Sequence, residues 1–276
     1  MDRAIGTVFI TGASSGIGLE TALLFHERGW NVVATMRDPD KRCTPLHDKG
    51  LPDLVPLDVT DSASIRAAVQ YALDKYGRID VLVNNAGYAL YGPFEATTQE
   101  QIERQFDTNV FGLMDVMREV LPVFRKQRNG VLVNVASLGG RISFPLYSIY
   151  NCTKWGVEGL TEALQYELKP LGIRVKLIEP GVIKTDFYGR SLDPVSCEAL
   201  GEDYGDVLRR GEKRLGTADP TGSEPSVVAR TIYRAATDGS WRLRYTVGGD
   251  ARMVSILRRL LPERVFRRVL EGAVLD

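Results

Sequence analysis

The chain has 276 residues, with 35 Lys plus Arg against 35 Asp plus Glu, two histidines and three cysteines. A chain of this length buries about 70–75% of its unfolded surface, so it needs no disulfide or metal to fold, and its zero net charge argues against a nucleic-acid footprint. Two histidines leave little material for zinc sites or His-based catalysis, and Cys43, Cys152 and Cys197, odd in number and without C-x-x-C spacing, suit a reducing compartment.

In chain order, short apolar runs alternate with longer helical patterns. Met1-Asp2-Arg3 leads directly into an apolar stretch from Ile5 to Ile10, without the charged, apolar and small-residue regions of a signal peptide, and no apolar run approaches the ~18 residues of a membrane span. The expected location is cytoplasmic. Residues 8–10, 32–34, 54–57, 81–83, 131–135, 175–178 and 245–247 read as strands. Most are continuous apolar runs, as expected when both faces of a sheet are buried. Helical patterns lie near 17–28, 62–75, 98–127, 151–169 and 225–237, and Thr97-Thr98-Gln99-Glu100 has capping-box spacing before the longest. This alternation predicts an α/β fold: one Rossmann-type, doubly wound parallel sheet with helices on both faces. Residues 184–222 lack periodicity and follow a late strand, where ligands bind in such folds, and are expected to form a substrate lid. Residues 1–250 are expected to form the catalytic, nucleotide-binding domain and 251–276 an Arg-rich helical extension. Between 251 and 271, six arginines (252, 258, 259, 264, 267, 268) face only Glu263 and Glu271, with Met253, Val254, Ile256, Leu257, Leu260 and Leu261 between them. Two amphipathic helices capping the domain or making a subunit contact fit this pattern, and so does a helix in peripheral contact with a membrane surface.

Thr11-Gly12-Ala13-Ser14-Ser15-Gly16-Ile17-Gly18 follows the first strand and opens the first helix. Glycines permit the sharp turn, and helix N-terminal N–H groups suit a phosphate. The same stretch contains G-x-S-x-G, a nucleophile elbow with Ser14. A serine hydrolase needs a histidine base late in the chain, whereas His26 and His47 are both early. At the tip of the second strand stands Arg37, whose planar fork suits a 2′-phosphate, so NADP (NADPH over NADH) is expected; Asp38 beside it would favour NAD if it turned inward.

Tyr150 and Lys154 stand at i and i+4, on one helical face, and Ser137 ends the fifth strand. Asn84-Asn85-Ala86-Gly87 follows the fourth strand, and Asn109 lies in the long helical stretch. A free tyrosine has a pKa near 10. An ammonium and a positive nicotinamide ring beside it both favour the phenolate, as a base at neutral pH requires.

With these motifs in this order, the chain resembles the short-chain dehydrogenases/reductases of the ~250-residue core type. Gly-Pro-Phe-Glu after the Asn-Asn-Ala-Gly motif, and Ala-Thr-Met-Arg-Asp-Pro after the second strand, look like their 17-beta-hydroxysteroid and retinol dehydrogenase members. The resemblance implies a carbonyl/alcohol oxidoreductase with Asn109, Ser137, Tyr150 and Lys154 catalytic. It implies that Gly12, Ser14, Ser15, Gly16, Ile17 and Gly18 hold the pyrophosphate and adenosine side and that Asp58, beside Val59, accepts from the adenine amine. Asn85, Ala86 and Gly87 would line the cofactor, Lys154 would also bind the nicotinamide ribose, and Pro180, Gly181, Val182, Ile183 and Thr185 would position the carboxamide. Asn109 would anchor a water chain to Lys154. Tyr88, Leu90, Phe144, Leu146, Tyr147, Phe187 and Tyr188 are expected to face a lipophilic ketone, aldehyde or alcohol, with Arg141 at the pocket mouth. Association as a homodimer or homotetramer, through the helices near 98–127 and 151–169, would resemble the family. A non-catalytic NADPH-sensing or scaffolding protein on the same fold is the alternative, and a serine hydrolase using Ser14 a remote one.

Overall fold

The computed structural model describes residues 5–41, 45–51, 53–185, 187, 189–200, 202–215 and 222–275. Strands β1 (Thr7–Ile10), β2 (Asn31–Met36), β3 (Leu54–Pro56), β4 (Val81–Asn84), β6 (Gly130–Val135), β7 (Ile173–Pro180) and β9 (Arg244–Val247) form one sheet in the order β3-β2-β1-β4-β6-β7-β9. Every pairing in it is parallel. The period-2 alternation of strand side chains splits each apolar run between two cores. Val8, Ile10, Val32, Ala34, Val81, Val83, Val131 and Val133 pack on one face against α1 (Gly16–Glu27) and α8 (Pro225–Thr237). Phe9, Val33, Leu82, Leu132, Val175 and Leu177 pack on the other against α3 (Ser62–Tyr76), α5 (Gly112–Gln127) and α6 (Ser148–Leu168). Neither sheet face meets water, which is why the strands read as continuous apolar runs.

Chain order reverses between β1 and β4, so the loops after these strands diverge and leave a crevice at their carboxyl ends. Three features differ from the expectations. The helical stretch near 98–127 is interrupted: α4 (Gln99–Phe106) passes into a π-helical turn, Asp107–Phe111, before α5. The capping box is one residue later than the spacing suggested. Thr98 Oγ1 accepts from Gln101 N at 3.2 Å, and Gln101 Oε1 accepts from Thr98 N at 3.1 Å. Third, α6 begins at Ser148, before Tyr150.

The segment after β7 is less irregular than its composition suggested. It carries β8 (Leu192–Pro194), paired in parallel with β5 (Ala89–Tyr91), and α7 (Gly205–Leu215). The Arg-rich extension forms two helices, α9 (Gly249–Leu260) and α10 (Glu263–Leu275), separated by Leu261 and Pro262. Ala251 and Phe266 are buried against Leu138 and Ile142, with Val254, Leu257, Leu261 and Leu270 around them. Met253, Ile256 and Leu260 form an outward stripe on α9. Among the described residues, no helix is long and apolar enough to cross a membrane. Short α2 (Pro45–Asp48) lies between β2 and β3.

Candidate active site

The crevice contains a cavity of about 720 Å³. One half is built from the glycine loop. Gly12 and Gly16 have φ of +69° and +55°, a region that glycine enters without strain. Gly18 is required for packing, because a Cβ there would collide with the Gly12 carbonyl oxygen and stand 2.6 Å from Asn85 Nδ2. It braces the loop from behind and does not line the cavity, whereas Gly12, Ser14, Ser15, Gly16 and Ile17 do. The loop is tied to the strand opposite. Asn85 Nδ2 donates to the carbonyls of Thr11 (3.1 Å) and Gly12 (3.0 Å), and Thr11 Oγ1 accepts from the N–H of Asn85 (3.0 Å) and Ala86 (3.1 Å). Thr11 was not singled out from the sequence; its hydroxyl sets the spacing of the two walls.

Arg37, Asp58 and Val59 line the same half. Asp58 Oδ1 accepts from the N–H and Oγ1 of Thr60, at 2.9 and 2.8 Å, which fixes its carboxylate. Asp38 pairs with Lys41 at 3.1 Å and does not line the cavity; Arg37 beside it is exposed on the wall.

At the centre, Ser137 Oγ accepts from Gly139 N at 3.0 Å. A Cβ on Gly139 would stand 3.3 Å from Tyr150 Cε1 and 3.5 Å from Ser137 Oγ, so both groups converge over this glycine. The Tyr150 ring packs edge-on against Tyr147 and Phe187, with centroids 5.9 and 5.8 Å apart. Lys154 Nζ lies 5.7 Å from the Tyr150 ring centroid and donates to Val135 O at 3.1 Å. Burial pushes the Lys154 ammonium down to about 8, opposed by the charge of Glu158.

Asn109 sits in the π-helical turn, a geometry frequent at functional sites. Its Oδ1 accepts from Tyr88 N at 3.1 Å, and its Nδ2 donates to Tyr88 O at 2.9 Å and Thr153 Oγ1 at 3.2 Å. It lies across Gly87 from Lys154: a Cβ on Gly87 would meet Asn109 Oδ1 at 3.0 Å and Lys154 Nζ at 3.8 Å. Asn109 thus stands behind the cavity wall, while Gly87 and Ala86 form it.

Pro180, Gly181, Val182, Ile183 and Thr185 line the third wall. Asp250, at the start of α9, supports it, because its Oδ2 accepts from Val182 N at 2.7 Å. Asp250 was not expected; it makes the extension part of the site's scaffold.

The far half is aromatic. Tyr88, Phe144, Tyr147 and Phe187 line it, as expected. Leu90 and Leu146 do not. Leu90 is buried with Ile149 and Val195, and Leu146, at φ +64°, packs behind the wall with Ala89 and Tyr91. Tyr188 lies outside the described residues. Arg141 is not at the mouth: it pairs with Glu179 at 3.3 Å. Arg104 and Arg190 do line the cavity, and Arg104 pairs with Asp193 at 2.5 Å across to β8. Neither histidine lines it.

A glycine cradle at a helix N-terminus, at the switch point of a parallel sheet, with a tyrosine and a buried lysine one turn apart beyond it, defines a dinucleotide-dependent oxidoreductase. A family model described as short chain dehydrogenase matches residues 6–194. The chain is 35% identical over 242 residues to a 3-ketodihydrosphingosine reductase of Bacteroides thetaiotaomicron, covering 87% of each. A crystal structure of a short-chain dehydrogenase from Streptomyces avermitilis superimposes with a TM-score of 0.79 at 31% identity, covering 98% of this chain and 99% of that one. Two further solved structures carry nicotinamide dinucleotides. One is ElxO with NADP bound (TM-score 0.74, 28% identity, 90% and 99% covered), and the other a 3-ketoacyl-(acyl-carrier-protein) reductase from Brucella melitensis complexed with NADH (0.73, 26%, 89% and 98%). The chain belongs to the short-chain dehydrogenase family and is an oxidoreductase of that family.

Proposed function

We propose that the protein interconverts a lipophilic ketone or aldehyde and its alcohol with NADP(H). The observation that carries this reading is the junction at Tyr150, where the glycine-built half of the cavity meets the aromatic half beside Lys154. The residues fit a dinucleotide, because Gly12, Ser14, Ser15, Gly16 and Ile17 line the cavity at the N-terminal end of α1, and a Cβ on Gly16 would stand 3.2 Å from Thr185 Cγ2 on the facing wall. Gly12, Ser14, Ser15, Gly16 and Ile17 would hold its pyrophosphate, Asp58 its adenine, and Pro180–Thr185 its carboxamide. When bound, the cofactor supplies or accepts the hydride. Tyr150 Oη donates a proton to the carbonyl oxygen in reduction and removes one from the alcohol in oxidation. Ser137 Oγ hydrogen-bonds that oxygen and stabilises its developing charge. Lys154 favours the phenolate and binds the nicotinamide ribose, and Asn109 orients the chain around Tyr88 and Gly87 behind them. The aromatic half suits an apolar substrate body, and the named activity of the Bacteroides relative points the same way. The described part of residues 184–222 would act as the substrate lid, held in part by the Arg104–Asp193 pair. Both Tyr150 and Lys154 are present, which favours turnover over a sensing role.

Arg37 on the wall, with Asp38 engaged by Lys41, supports NADP. Following absorbance at 340 nm against a panel of bulky ketones tests the whole reading. The parent is expected to prefer NADPH. Arg37→Ala is expected to raise KM for NADPH by about 10- to 100-fold, the value of one charge-assisted hydrogen bond, and to leave NADH unchanged. Equal losses for both cofactors would remove Arg37 from the 2′-phosphate site, and no turnover across the panel would favour the sensing role.

The protein is read as cytoplasmic and as a homodimer or homotetramer through α4–α5 and α6, where Phe111, Trp155 and Tyr166 are exposed. The outward stripe of α9, flanked by Arg252 and Arg259, suits an anionic lipid surface. Analytical ultracentrifugation reads both. Two or four chains are expected alone, and co-sedimentation with phosphatidylserine vesicles that Ile256→Glu abolishes; a monomer, or vesicle binding unchanged by Ile256→Glu, contradicts the respective reading.

A further inference from the structure

Behind Lys154 lies an ionic cluster, with Glu158 and Glu179 buried, that the reaction as described does not use. Glu158 follows Lys154 by one turn of α6 and is 5% exposed. Its Oε2 accepts from Arg244 Nε at 3.1 Å, and its Oε1 is buried without a hydrogen-bond partner. Glu179, in β7, stands 3.3 Å from the same Arg244 Nε and 3.3 Å from Arg141, and accepts from Thr246 Oγ1 at 2.9 Å. Glu162, one turn further along α6, takes Arg244 Nη2 at 2.7 Å. Lys154, one turn before Glu158 on α6, lies on the same helical face. Gly140 lets the turn after Ser137 pack onto α6 at these residues, since a Cβ there would stand 2.9 Å from both Glu158 Cγ and the Lys154 carbonyl oxygen.

A buried ammonium is costly unless an opposite charge compensates it. Lys154 has a carbonyl partner in Val135, and a carbonyl carries no net charge. We propose that Glu158 is a positioning residue for proton transfer, its carboxylate being the counter-charge that holds Lys154 as an ammonium beside Tyr150. The proposal rests on the Tyr150 reading above. The electrostatics agree. Burial and the Glu179 charge push Glu158 up to about 7, against Arg244 and Arg141, and Glu158 in turn opposes the burial that lowers Lys154. Burial thus favours the neutral form of each group, and the charge of Glu158 opposes the loss of the Lys154 proton.

The test is the pH profile of kcat for alcohol oxidation. Glu158→Gln keeps the shape and removes the charge, so its alkaline limb is expected to move about one pH unit lower. Glu158→Asp is expected to restore that limb. Glu158→Ala removes the same charge and keeps the test available if Glu158→Gln does not fold, with the same expected move of the alkaline limb. Profiles that superimpose on the parent overturn the proposal. Tyr150→Phe separates the two levels. If it is inactive while the Glu158 profiles superimpose on the parent, only the counter-charge role fails; if it is active, the underlying reading fails.

Discussion

Tyr150→Phe is expected to lower turnover by about 10³-fold or more while NADPH binding changes little. Positioned acid–base groups contribute about 10²–10⁴-fold, and here the exchangeable proton of the reaction has one proposed carrier. The substitution removes a single oxygen. The ring keeps its edge contacts with Tyr147 and Phe187, and Lys154 keeps its bond to Val135, so the cavity walls stay in place. Steady-state turnover at 340 nm and a fluorescence titration with NADPH separate the two effects. Retention of most of the activity would refute the proton-transfer assignment. Loss of NADPH binding in parallel would show that the hydroxyl supports the cofactor rather than the chemistry.

Gly18→Ala is expected to weaken cofactor binding by at least tenfold and to lower stability by about 1–3 kcal/mol, the usual cost of overpacking. The added methyl has nowhere to go. It would meet the Gly12 carbonyl oxygen and the Asn85 amide, and that amide already bonds both Thr11 O and Gly12 O. A side chain could rotate away from a methyl, but a backbone carbonyl in a left-handed turn cannot, so the loop must shift and its N–H groups move with it. Thermal unfolding with and without NADPH checks both parts. An unchanged Tm, with the same rise on adding NADPH as the parent, would mean that the loop tolerates the methyl and that Gly18 is not its brace.

These two positions also show what could be read before folding was considered. The glycine spacing at 12, 16 and 18 and the Tyr150–Lys154 pair were legible because each is a local statement. A turn needs left-handed residues, and four residues make one helical turn. The seven main strands were legible because a parallel sheet buried on both faces demands uninterrupted apolar runs. The short β5–β8 pair was not, since three residues carry no periodicity and their partners lie about a hundred residues away. The π-helical turn at Asn109 was equally invisible, because an amphipathic pattern runs through it.

The aromatic half of the cavity divides along the same line. Tyr88, Phe144, Tyr147 and Phe187 face it, but Leu90 and Leu146 do not, and nothing in their type separates them. Leu90 turned inward because β5 pairs with β8 and offers it Val195, and Leu146 because its left-handed backbone directs it behind the wall. The opening balance of 35 basic and 35 acidic residues likewise said nothing of where charges meet. Arg104 and Asp193 pair across 89 positions, and Glu158 and Arg244 across 86.

By itself, the sequence determined the fold class, the glycine turn after β1 and the one-turn spacing of Tyr150 and Lys154, because all three rest on periodicity and turn chemistry within a few residues. Tertiary structure alone decided which side chains face the cavity, that Asp250 in the extension braces the third wall, and that Glu158 and Glu179 meet Arg244. Those are contacts between distant segments. Burial removes the water that would otherwise solvate each charge, so only the packed fold sets which charge must be met by which partner.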